Sequence, residues 1–121
     1  MPTPADELRT AAATLRALAE AAATESGNPH WTSTRAFPEQ PDSTASIVSA
    51  EEAGPVFRIA RASYVRGPIS DYVAAMDPAI GLLLAKWLGS WDGVDFDEHA
   101  SMPDDLAHAL TIARAINASQ P

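Results

Sequence analysis

The chain has no cysteine, one lysine, six glycines and eight aromatic residues among its 121 positions. Without cysteine there is neither a disulfide framework nor a thiolate zinc site. The glycines are scattered, so no GxGxxG or GxxxxGK[ST] loop exists to cradle phosphate, and no GxSxG elbow presents a serine. No apolar run reaches the ~18 residues that a spanning helix requires. The segment MPTPADELRT lacks the basic start and apolar core of a signal peptide, so a cytoplasmic location is the expectation. Bases are also scarce: eight Lys and Arg face sixteen Asp and Glu, a formal net charge of −8. The excess is uneven, at −2 over residues 1–66 and −6 over 67–121. Affinity for nucleic acid or anionic membrane rests on cations that neutralise phosphate, so direct binding to either is disfavoured.

What is present is a patterned small domain, 46 % hydrophobic and 20 % charged, with 25 alanines. Residues 4–24 read as a helix. Thr3 and Asp6 stand three apart as a capping box around Pro4, and Leu8, Ala11, Ala12, Leu15, Leu18, Ala19 and Ala22 form an apolar stripe. The breaker cluster Ser26-Gly27-Asn28-Pro29 ends it. Residues 30–65 change to β-prone composition, with segments at 31–37, 46–49 and 56–60. Sequential strands with short joins pair antiparallel, so a small three-stranded antiparallel sheet is expected, one face presenting Phe57 and Ile59.

Residues 70–118 read as helical. Ser70 or Asp71 is the expected cap of a short helix carrying Tyr72, Val73 and Met76. Asp77-Pro78 marks a break and a new start, because proline inside a continuous helix removes a hydrogen bond and clashes with the preceding turn. In the helix that follows, Ile80, Leu83, Leu84, Trp87 and Leu88 recur at helical spacing and are the expected centre of the core. Ser101 and Asp104 suggest a second capping box around Pro103, and Leu106, Ala109, Leu110, Ala113 and Ile116 a last apolar stripe. The expected fold is α+β: an N-terminal helix, the small sheet, and two to three C-terminal helices packed on one face, all in a single domain over 1–121.

The string YVAAMDPAIGLLLAKWL, preceded by ELRTAAATLRALA and followed by ALTIARAI, resembles small actinobacterial and actinophage proteins, and more weakly the phage Ead-like early-gene family. The likeness covers about half the chain and leaves the β region unmatched. Its residues are core formers and caps, so it implies a phage-related fold and transfers no catalytic residue.

Chemistry-bearing residues are few. Asp92, Asp95, Asp97, Glu98 and His99 crowd into eight positions, and Asp95, Asp97 and His99 are the best candidates for a hard-cation site. The glycine at 93 follows the first Asp directly, against EF-hand spacing, so the plainer reading is a solvated acidic loop before a helix. His30, His99 and His108 lack HExxH spacing. No cofactor is expected and an enzyme is disfavoured. Tyr72, Met76 and Trp91 are candidates for an exposed interaction site, since Tyr and Trp are enriched in binding hot spots. Trp87, four residues before Trp91, is the more natural core residue. Leu15 centres the first helix's stripe, on which a homodimer could form. Packing of that stripe on the chain's own sheet is the competing fate. The leading expectation is a non-enzymatic, acidic interaction protein binding a host or self partner. A second reading is a nucleic-acid mimic that blocks a DNA-binding protein, with Asp71 and Asp77 joining the acids of 92–105 on one surface. A third is a metal-binding or enzymatic domain using the 92–99 loop.

Overall fold

A computed structural model describes residues 2–35, 37, 39–40, 44–49, 58–94 and 102–121. The fold is α+β, with an N-terminal helix, an antiparallel sheet and C-terminal helices. In chain order the elements are α1 (Pro4–Ser26), β1 (Trp31–Arg35), β2 (Thr44–Ser49), β3 (Arg58–Arg66), α2 (Gly67–Ala75), α3 (Pro78–Gly89) and α4 (Asp104–Ala118). They fall into two compact units, one of residues 1–18 with 82–121 and the other of residues 19–81.

The first unit is helical. The expected capping box opens α1: the Asp6 N–H donates to Thr3 Oγ1 at 3.1 Å and the Thr3 N–H donates to Asp6 Oδ2 at 3.2 Å. These bonds hold the Asp6 carboxyl below its usual range, the Thr3 backbone bond contributing most. Leu8, Ala11 and Ala12 of α1 pack with Leu88 of α3 and with Leu106, Ala109, Leu110 and Ala113 of α4, and Leu15 is partly buried against the same cluster. The last apolar stripe is thus where its periodicity places it. Alanine at four of these positions buries little area but lets helix axes approach closely, as where a Cβ on Gly89 would meet Ala12 Cβ at 3.8 Å. Arg114 Nε donates to Glu7 Oε2 at 2.6 Å, and Asn117 Nδ2 donates to the Glu7 carbonyl at 3.1 Å, tying α4 to α1. The stripe of α1 is therefore engaged within the chain, but on helices rather than on the sheet.

Three expectations for this unit are corrected. The apolar side of α3 does not face inward as a whole: Ala85 and Leu88 are fully buried, whereas Leu83 is 63 % exposed. Leu84 and Trp87 are half-buried. The start of α4 is not a capping box, since Pro103 holds the cap position and no side chain bonds there; Ser101 lies outside the described residues. On α1, Leu18, expected in the apolar stripe, is exposed.

The second unit holds the sheet. β1 and β2 pair antiparallel, with Trp31 opposite Ser49 and Arg35 opposite Ala45. β3 pairs antiparallel with β2, and its register shifts between Thr44 and Ala45 and again between Ile47 and Val48. The third strand region begins at Arg58 and runs to Arg66, beyond the expected 60; Phe57 lies outside the described residues. α2 is the helix that lies on the sheet, touching β1, β2 and β3, and it starts at Gly67 rather than at Ser70 or Asp71. Gly27, at φ 83°, takes the left-handed conformation that ends α1.

Candidate interaction face

The second unit is held by short polar side chains. Ser70, fully buried, accepts a hydrogen bond from Ser33 Oγ at 2.8 Å, so a hydroxyl pair forms the contact between α2 and β1. Ala74, one turn later, is also turned inward. Small residues at both positions let the helix lie close to the strands. Beside them Arg35 clamps Asp71 with both terminal nitrogens, at 3.1 Å and 2.5 Å. That guanidinium, followed by the Ser33 hydroxyl, holds the Asp71 carboxyl below its usual range.

Asp77 is the joint between α2 and α3. Its Oδ1 accepts the Ile80 N–H at 3.1 Å, as a helix cap should. Its Oδ2 accepts the Trp31 N–H at 3.1 Å, which fixes the start of β1. The Ala79 N–H turns away to the Pro29 carbonyl at 2.9 Å. Trp31 continues the chain of contacts, its Nε1 donating to Ser26 Oγ at 3.0 Å, while the Ser26 hydroxyl proton is shared between the carbonyls of Ala22 and Asn28.

With Ser70, Ala74 and Asp77 turned inward, the large apolar side chains of this segment are left outside. Ile69 is 57 % exposed and Tyr72 68 %, and Val73, Met76 and Ile80 are exposed with them. Exposed large apolar residues at successive helical turns are the informative departure from ordinary burial. Tyr72 and Met76 were expected here. Ile80, expected in the core, joins them, and Ile69 and Val73 complete the face. The only signal for it in the sequence is that the alternate stripe, Ser70, Ala74 and Asp77, is small or polar.

The other candidates are not part of this face. Trp91 belongs to the helical unit, where it meets Trp87 edge to face with ring centroids 5.2 Å apart and planes at 72°, both partly buried against the core. Leu15 lies on the same core. Asp95, Asp97, Glu98 and His99 lie outside the described residues. Asp92 accepts a hydrogen bond from Arg9 Nε at 3.0 Å. Among the described residues no three His, Asp or Glu come together as a metal-binding group, and no helix is long and apolar enough to cross a membrane. A groove of about 210 Å³ in the helical unit runs past Leu8, Ala12 and Leu88, with Arg9 and Arg16 at its edge. Arg9 is already held by Asp6 and Asp92.

No protein family, curated protein or solved structure matches this chain.

Proposed function

We propose that this chain is a non-enzymatic interaction protein, phage- or prophage-encoded and cytoplasmic, whose binding face is the outer side of α2 with the first turn of α3. The observation that carries this reading is the inversion of α2. Its inward positions are Ser70 and Ala74, while Ile69, Tyr72, Val73 and Met76 point to solvent. An apolar strip rimmed by an ion pair has the anatomy of a protein interface, in which Tyr and Met are enriched and charge is depleted at the centre.

The nucleic-acid-mimic reading draws less support. A mimic needs free carboxylates in register, yet Asp77 spends both oxygens on backbone N–H groups and Asp71 is neutralised by Arg35.

Photocrosslinking in the cell that expresses the protein tests the interaction reading. Benzoylphenylalanine at position 72 yields a discrete protein adduct, and the same probe at exposed Thr10 on α1 yields none. Absence of an adduct at 72, or equal adducts at both positions, overturns the reading.

A further inference from the structure

The charge of the face restricts what can cover it. An acidic contact surface has no cation to meet here, since residues 67–81 hold no Lys or Arg and Arg35 beside them is bound by Asp71. A basic partner would be drawn to carboxylates, but among the described residues of this face none is free. Between residues 67 and 81 the acids are Asp71 and Asp77, one bound by Arg35 and the other buried under the Trp31 and Ile80 N–H groups. The surface suited to this strip is therefore uncharged and apolar, and the chain carries one such surface itself.

We infer that the outer face of α2 pairs with the same face of a second copy of the chain, an inference that rests on the interaction reading above. A two-fold pairing brings the same patch of each copy together and needs the patch to be self-complementary. Here each copy brings apolar side chains to the middle and one Arg35–Asp71 pair to the rim, so the pairing carries no net charge across it.

The area is sufficient for a reversible dimer. Ile69, Tyr72, Val73, Met76 and Ile80 together leave on the order of 400–500 Å² bare, the size of the largest apolar patch on a typical monomer, which is often a functional surface. Burying that from both copies removes roughly 800–1,000 Å², below the roughly 1,200 Å² at which stable specific interfaces begin and within the range of weak, transient ones. A dissociation constant of ~1–100 µM is the expected range.

Sedimentation of the full chain from about 1 to about 500 µM tests the inference, because self-association is concentration-dependent. The weight-average mass rises from 12.8 kDa toward twice that value. Tyr72→Glu and Met76→Lys, both at exposed positions, stay at the monomer mass across the range and keep the wild-type circular dichroism spectrum. Leu18→Glu, on the exposed side of α1, associates as the wild type does. A wild type that stays monomeric at every concentration overturns the pairing, as does association abolished by Leu18→Glu and not by Tyr72→Glu. A monomer whose position-72 probe still crosslinks another protein loses the second copy as occupant but keeps the interaction reading. A monomer with no crosslink loses both.

Discussion

Replacing Asp77 with alanine removes two bonds at once, and the structure allows the loss to be sized. The Oδ1 bond to the Ile80 N–H is a helix cap, whose removal costs about 1 kcal/mol. The Oδ2 bond takes the Trp31 N–H, in a part-buried setting, and a bond to a charged acceptor is worth about 1.5–3 kcal/mol when the donor is left without a partner. Part of this sum is returned, since the carboxylate no longer has to be held out of water. A net loss of about 2–3 kcal/mol is the result expected for Asp77→Ala. Asp77→Asn retains one acceptor oxygen and so should lose about half as much. Urea unfolding followed by circular dichroism measures both, and a 2 kcal/mol loss moves the midpoint by about 1 M or more. Amide hydrogen exchange adds site resolution: protection at Trp31 and Ile80 falls in Asp77→Ala beyond the global change. A loss under about 0.5 kcal/mol, or unchanged local protection at both amides, refutes the assignment of Asp77 as the joint.

Two further outcomes follow from the same packing and charge. Leu88→Ala, at a fully buried position, costs about 2–5 kcal/mol in urea unfolding, whereas Leu83→Ala, mostly in solvent, costs less than about 1 kcal/mol; equal losses would contradict the orientation of α3. Asp71 titrates below its ordinary value of 3.8 because Arg35 binds its charged form, so its contribution to stability is complete above that value and is lost as pH falls through the depressed one. Arg35→Gln moves the Asp71 titration, read by NMR of its side-chain carboxyl carbon, back upward, and an unmoved titration would remove Arg35 as the cause.

Local features of the chain were legible in its sequence because they need only near neighbours. Thr3 with Asp6, and Asp77 with Pro78, are signals within one helical turn, and both form as their spacing implies. The stripe of α4, Leu106, Ala109, Leu110 and Ala113, keeps strict three- and four-residue spacing, and those four residues are the ones buried. In α3 the residues Ile80, Leu82, Leu83, Leu84 and Leu88 are apolar around most of the helix, and periodicity cannot select a face. The inward side is marked by Ala85, fully buried beside Leu88, where the small side chain permits close approach. Ser70 reads as a cap by residue type, yet its hydroxyl meets Ser33, 37 positions away. Asp77 was legible as a cap but not as the anchor of β1, for the same reason of sequence distance. The binding face was half visible: Tyr72 and Met76 could be named from their type, but that α2 turns its largest side chains outward depends on the close seat of Ser70 and Ala74 against the sheet.

Hydroxyl-radical footprinting at two protein concentrations tests the central claim most directly, that the outer side of α2 is bare in the monomer and covered in the complex. In dilute solution Tyr72 and Met76 are modified quickly, as exposed side chains are, and Met102, partly buried against the helical core, is modified slowly. At high concentration the account predicts protection of Tyr72 and Met76 with no change at Met102. Slow modification of Tyr72 and Met76 in dilute solution, or rates that do not depend on concentration, would contradict it.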